Sequence, residues 1–247
     1  MTKKVRALFS TMRSGSTLVM HCLAQHPNIS CISGTIKKSP ELKSENISWE
    51  GVLSWKHEKD FLFVKNTYDK NIYYPFYNTK VIPLLRPLFL FREPVQTINS
   101  IILKEFMNSS VEDAIKAYKK GAYGSYVKAK KISPENIRCI TYETLSSQPE
   151  KVLKKLLRFW EIPWNPAVVD WPDTFSEKTF SNDITLHQEH IKKAIQENHH
   201  DTLVKSTKII PTHNRNIILS KEDVDLIEKE LRGIYNQIKD EEFINEK

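Results

Sequence analysis

A short loop near the start of the chain has the residue types needed to hold a phosphate or sulfate group. Residues 10–18 read STMRSGSTL and lie between an apolar strand-like segment and a predicted helix. Backbone N–H groups at the positive end of a helix attract anions, and the hydroxyls of Ser16 and Thr17 add donors. Ser10 and Ser16 occupy the first-glycine and lysine positions of a Walker A loop, which argues against a kinase. The alternative is a Ser- and Gly-rich turn that only caps the helix.

A second anion-binding pair follows another predicted strand. Arg92 comes directly after the apolar run Leu88–Phe91, and Ser100 lies eight residues further on, about two turns into the next predicted helix. An arginine at a strand end and a serine at this spacing can converge on one phosphate. The competing interpretation is a surface ion pair of Arg92 with Glu93 or Glu105.

A third block begins with Ile140, continues through Tyr142-Glu143 and ends at Pro163. In their order along the chain, the three blocks resemble the sulfotransferases that use 3′-phosphoadenosine 5′-phosphosulfate (PAPS). The RSGST sequence of the first loop, with His26-Pro27 behind it, is similar to bacterial and tyrosylprotein members. This resemblance covers residues 5 to 163 and implies a P-loop-NTPase-like three-layer α/β fold with a central parallel sheet.

The resemblance also implies roles for individual residues. The residues expected to hold the 5′-phosphosulfate end of PAPS are Arg13, Ser14, Gly15, Ser16 and Thr17. Arg92 and Ser100 would hold the 3′-phosphate, and Tyr142 would lie beside the adenine unless it is an ordinary core tyrosine. Lys208 and Arg215 are the nearest candidates for the basic residues that the family adds from a C-terminal loop, although both could be solvated surface charges.

Sulfuryl transfer requires in-line positioning, positive charge near the leaving phosphate and a base near the acceptor proton. Arg13 would act electrostatically, because an arginine stays protonated. The glutamate that many relatives place after His-Pro is Thr35 here, and the histidine that others place after a strand-end lysine is also missing. The base candidates are Asp69 and His57, while Lys65 would bind sulfate or pair with a carboxylate.

Alternating strands and helices are predicted to position these residues. The apolar runs Val5–Phe9, Phe61–Val64, Leu88–Phe91 and Ile137–Thr141 indicate buried strands. Helices are predicted over 17–23, 94–103, 111–131, 149–160 and 221–238, the last capped by Ser220 and expected to be structural. The pattern indicates one α/β domain over residues 1–247, with a parallel sheet covered on both faces. Residues 34–60 and 161–215 are predicted to be loops that cover the ligand.

Composition limits the remaining possibilities. The 247 residues carry a net charge of +7, which favours anionic ligands, but the positive charges are scattered, so nucleic acid is not the expected partner. Three cysteines without paired spacing, no apolar 18-residue window and no signal-peptide pattern predict a cytoplasmic protein without a membrane span. His187 with His190, and His199 with His200, have metal-like spacing but no third ligand, so no metal is expected.

Two questions stay open at the level of sequence. The acceptor could be a small alcohol, a carbohydrate, a lipid or a peptide tyrosine, because the segments that would form its pocket contain no recognisable motif. The missing base also leaves room for a non-catalytic nucleotide-binding or interaction protein on the same scaffold.

Overall fold

The computed structural model describes residues 4–33, 59–68, 81–103, 110–171, 206–210 and 216–245. Within them lies one five-stranded sheet in which every neighbouring pair is parallel. Its strands are β1 (Lys4–Thr11), β2 (Ile29–Ser33), β3 (Phe61–Tyr68), β4 (Leu88–Phe91) and β5 (Arg138–Thr141). The order across the sheet is β2-β3-β1-β4-β5. The first strand is therefore central, and its carboxyl end opens between those of β3 and β4.

Eight described α-helices connect or follow the strands. They are α1 (Ser16–Ala24), α2 (Ile82–Leu85), α3 (Pro94–Leu103), α4 (Val111–Lys116), α5 (Gly124–Ile132), α6 (Tyr142–Ser147), α7 (Pro149–Phe159) and α8 (Lys221–Asp240). A π-helical turn, Ala117–Tyr123, joins α4 to α5, so the single helix predicted over 111–131 is interrupted. None of the helices in the described ranges is long and apolar enough to cross a membrane.

Two apolar cores lie on opposite faces of the sheet. On one face, Leu8 and Leu90 pack with residues of α1 and α7, including Leu153. On the other, Phe9 and Phe89 pack with α3, α4, α5 and α8. The alternation along β1 and β4 places successive side chains in opposite cores. The result is the three-layer α/β arrangement predicted from the alternating elements.

Strand β2 is the one strand of the described sheet that was not predicted from the sequence. Its sequence, ISCIS, mixes apolar and polar residues, and it lies at the sheet edge with β3 as its described partner. An edge strand needs no continuous apolar run, so this sequence lacks the signal that marks the other strands.

The C-terminal end of the described chain fixes the end of β5, where Tyr142 begins α6. The Glu242 carboxylate accepts from the Thr141 N–H at 2.8 Å and makes a short hydrogen bond with the Thr141 hydroxyl. Its second oxygen accepts from the Thr144 hydroxyl at 2.8 Å. Three hydrogen bonds to the Glu242 carboxylate therefore hold the start of α6 in place.

Candidate functional site

The loop between β1 and α1 is held open by its backbone. Arg13 and Gly15 both adopt left-handed φ values, 65° and 92°, and the hydroxyls of Thr11 and Ser14 are 2.5 Å apart. Within the described part of the chain, the N–H groups of residues 14–17 donate to no backbone oxygen. Because these donors point out of the helix start, the loop can receive an anion rather than being closed by its own hydrogen bonds.

Gly15 is required here for two reasons. Its φ of 92° is one that side chains rarely adopt, and an added Cβ would lie 2.5 Å from Cδ2 of Tyr142. The Tyr142 ring therefore lies directly against the loop. This contact links the first sequence block to the third.

The first and second blocks meet through Arg13. Its Nε donates to the Ser100 hydroxyl at 3.0 Å, and its carbonyl oxygen accepts from Arg92 Nη1 at 3.3 Å. Ser100 is fully buried and Arg92 is 6% exposed. The two predicted anion sites are therefore adjoining parts of one site.

Arg92 is a buried residue and not, as the competing interpretation expected, part of a surface ion pair with Glu93. Its guanidinium lies over the Tyr142 ring, 4.8 Å from the centroid, an arrangement that a cation and an aromatic face stabilise. The carboxylate of Glu93 pairs with Arg232 at 2.7 Å and accepts from the Gln96 N–H at 2.8 Å. Arg92 is thereby aimed at the loop.

Lys65 brings a further positive charge to the same place. It lies near the carboxyl end of β3, and its Nζ donates to the Thr17 hydroxyl at 3.1 Å. Burial, together with the positive charge of Arg13, lowers the pKa of Lys65 to about 8. The ammonium would regain stability from an anion bound beside Thr17.

Two buried polar side chains near the ends of β1 and β3 have no hydrogen-bond partner among the residues that the structure describes. They are Ser10, at the end of β1, and Asn66, whose amide nitrogen and oxygen are both unpaired. Asn66 is fully buried and lies opposite Phe9 in the β1–β3 register. Unpaired buried groups are rare in folded proteins and are concentrated where a ligand or water completes them. Asn66 was not among the predicted site residues. Its position directly after Lys65, near the end of a strand, is the sequence feature that could have suggested it.

Three predicted site residues lie outside the described part of the chain, and a fourth is described away from this site. His57, Asp69 and Arg215 lie outside the described residues, as do the histidines with metal-like spacing. Lys208 is exposed and forms an isolated backbone bridge with Asp170. Its described contacts do not include Arg92 or Ser100. No group of three potential metal ligands occurs among the residues that the structure describes.

Comparison with known proteins finds sulfotransferases among the proteins similar to this chain. Residues 70–166 match the sulfotransferase family. The matched segment contains Arg92, Ser100 and Tyr142, and the family resemblance inferred from the sequence blocks is confirmed. A curated relative, the protein-tyrosine sulfotransferase of Drosophila melanogaster, is 24% identical over 188 residues. That alignment covers 64% of this chain and 38% of the relative, so the chain spans well under half of the relative's length.

Solved sulfotransferases share the fold. A mouse sulfotransferase, SULT7A1, complexed with PAP superposes with a TM-score of 0.55 at 16% identity, covering 96% of this chain and 87% of that one. The sulfotransferase domain of the Synechococcus PCC 7002 olefin synthase gives 0.51 at 14% identity, covering 92% and 94%. At these identities the likeness concerns the fold, which is the predicted P-loop-NTPase-like three-layer fold.

Proposed function

We propose that this chain catalyses transfer of a sulfuryl group from PAPS to an acceptor hydroxyl or amine. The observation that carries the proposal is the contact between Arg13 and Ser100, which unites a loop suited to one anion with a pair suited to another. A nucleotide with phosphates at both its 5′ and 3′ positions fits such a site. A nucleoside triphosphate, whose charges lie in one row, would leave the Arg92 and Ser100 pair unused.

The charges and donors present fit this cosubstrate. The N–H groups of residues 14–17, with the Thr17 hydroxyl and Lys65, would hold the 5′ end. Arg92 and Ser100, both buried, would hold the 3′-phosphate. PAPS supplies an activated sulfuryl group attached to a phosphate leaving group. Tyr142, between Gly15 and the Arg92 guanidinium, would contact the nucleoside that joins the two ends.

Arg13 and Lys65 are the residues that we assign to stabilising charge during transfer. As the bond to the leaving phosphate breaks, negative charge grows on the bridging oxygen, and preorganised cations stabilise that charge more than the ground state. Arg13 is held by Ser100, so its guanidinium needs little reorganisation. The base that removes the acceptor proton is proposed to be Asp69 or His57.

We also propose a setting for the reaction. Cys22, Cys31 and Cys139 are all free thiols, which suits a reducing cytoplasm. For the acceptor, a tyrosine hydroxyl in a peptide is the first candidate, because the curated relative is named a protein-tyrosine sulfotransferase. Carbohydrate, lipid and small alcohol acceptors are the other classes to be tested.

The test is transfer of labelled sulfate from PAPS to a panel of peptides, sugars, lipids, alcohols and amines. The proposal expects a labelled product from at least one class, formed about 10²- to 10³-fold more slowly by the Arg13→Ala protein. If the protein binds adenosine 3′,5′-bisphosphate but labels no member of the panel, it is a nucleotide-binding protein on this fold. If it neither binds nor transfers, the proposed function is wrong.

A further inference from the structure

The turn that carries Arg92 is held from behind by residues far away in the sequence. The Arg92 carbonyl accepts from the Tyr118 hydroxyl at 3.0 Å. The N–H of Glu93 donates to Oε1 of Glu143 at 3.2 Å. The Arg92 side chain contacts Arg13 and Tyr142, so both the backbone and the side chain of this turn are held by other parts of the fold.

Helix α8 supplies the second layer of support. The Tyr235 hydroxyl donates to Oε2 of Glu143 at 2.8 Å, so the two oxygens of this carboxylate connect α8 to the Glu93 backbone. Arg232 lies one turn earlier on the same helix and pairs with Oε1 of Glu93 at 2.7 Å. Arg232 is in turn fixed by a two-point contact with Glu228. Helix α8, which was expected to be only structural, therefore contacts the Arg92 turn directly through Arg232 and indirectly through Glu143.

The two oxygens of the Glu93 carboxylate bind different partners. Oε2 accepts from the Gln96 N–H at 2.8 Å in the first turn of α3, the helix that carries Ser100, while Oε1 binds Arg232. One residue thus ties the start of α3 and the Arg92 turn to α8. A substitution at Arg232 is therefore expected to shift the positions of both Arg92 and Ser100.

The hydrogen bond from Tyr235 is retained over a wide pH range. Burial and the negative charge of Glu143 raise the pKa of Tyr235 well above its ordinary value, so the hydroxyl stays protonated and donates. Tyr235 is 4% exposed, which keeps water from competing for the carboxylate.

We infer that Tyr235, Arg232 and Glu143 are positioning residues that set Arg92 and Ser100 at the spacing of a 3′-phosphate. The inference rests on the proposed function, since it assigns the pair to that phosphate. Loss of either α8 contact would let the turn move while leaving the loop around Gly15 intact. The nucleotide's 3′ end would lose affinity and its 5′ end would not.

The test compares two nucleotides by isothermal titration calorimetry, adenosine 3′,5′-bisphosphate and adenosine 5′-monophosphate. The ratio of their affinities reports the 3′-phosphate site alone. For Tyr235→Phe and Arg232→Gln we expect this ratio to fall about tenfold, in line with the loss of one hydrogen bond to a charged group. The affinity for the monophosphate should stay unchanged. Arg232→Lys, which keeps the charge, should retain part of the ratio.

The matched control is Tyr123→Phe, which removes a 2.8 Å hydroxyl contact to Gln237 on the same helix but does not touch the Arg92 turn. Its ratio should equal that of the original protein. If Tyr235→Phe fails to fold, the Arg232→Gln protein provides the test of the inference. The Arg232 side chain is 38% exposed, so its replacement is expected to leave the fold intact. Unchanged ratios in the α8 variants, or equal losses for both nucleotides, would overturn the inference. An original protein that does not prefer the bisphosphate would instead refute the proposed function.

Discussion

The guanidinium of Arg13 donates to the Ser100 hydroxyl at 3.0 Å, across 87 positions in the sequence. Arg13 belongs to the loop that opens α1, and Ser100 lies inside α3. Their contact crosses the carboxyl edge of the sheet between β1 and β4, where parallel α/β folds bind ligands. A residue proposed for the chemistry is therefore supported by one proposed for binding the nucleotide.

Replacement of Arg13 should affect the rate of transfer more than binding. Arg13→Ala is expected to lower kcat by about 10²- to 10³-fold, as removal of one preorganised charge donor does elsewhere. Arg13→Lys should recover only part of the rate, because an ammonium cannot reproduce the guanidinium contact with Ser100. Steady-state kinetics with PAPS and the acceptor found by the panel provide the measurement. A change confined to the KM for PAPS would contradict the assigned role.

Two glycines should respond to alanine in opposite directions. Gly15→Ala combines a left-handed φ with a Cβ placed 2.5 Å from Tyr142, and should cost about 1–3 kcal/mol of unfolding free energy. Gly233→Ala, in helix α8 with nothing within 4 Å of the new Cβ, should add about 0.5–1 kcal/mol. Urea denaturation measures both. The same sign for the two variants would show that the loop geometry described here is wrong.

Nucleotide affinity should decline in alkaline solution. The pKa of Lys65 is lowered to about 8 by burial and by Arg13, so in the free protein this side chain is charged below that pH and neutral above it. A bound 5′-phosphate favours the charged form, which means that binding takes up a proton near pH 8 and weakens as the pH rises further. Calorimetry in buffers of different ionisation heat detects this proton. In Lys65→Met the uptake should vanish, and its persistence there would assign it to another group.

Asn66 should be replaceable with a gain in stability. Its amide is fully buried and has no hydrogen-bond partner within the described ranges. Asn66→Leu therefore removes a desolvated polar group and should raise the unfolding free energy by about 1 kcal/mol. Asn99 is the matched control, because its equally buried amide bonds to the Asn216 carbonyl and the Ile218 N–H at 3.0 and 2.8 Å. Asn99→Leu should lose about 1–3 kcal/mol. A loss of similar size in Asn66→Leu would mean that its amide is satisfied.

The parts of the fold that the sequence predicted are those with a strong local signal. β1, β4 and β5 are short apolar runs beside turn residues, and α7 has apolar side chains at helical spacing. The edge strand β2 was missed because serine and cysteine interrupt its isoleucines, so it contains no continuous apolar run. The π-helical turn in the middle of 111–131 was not predicted, because the apolar residues of this segment follow helical spacing throughout.

Residues of the candidate site could be proposed from the sequence where the chemistry requires a residue type at a fixed spacing. The RSGST loop and the interval between Arg92 and Ser100 were such cases, and the structure places them side by side. The contacts of Lys65 with Thr17 and of Arg232 with Glu93 were not predicted. Each joins residues that are brought together only by the crossing of strands and helices. A lysine at a strand end and an arginine on a polar helix have many possible partners, and sequence alone does not choose among them.

The most direct test of the central claim is a thermal unfolding titration with adenosine 3′,5′-bisphosphate. The account predicts that the melting temperature rises with concentration, as expected for about 2.7 kcal/mol of added stability at 100 times the Kd. Arg92→Ala should lose most of that rise. Arg138→Ala, an arginine at the opposite end of the sheet over the Phe159 ring, should keep it. No rise in the original protein, or an equal rise in Arg92→Ala, would contradict the proposed nucleotide site.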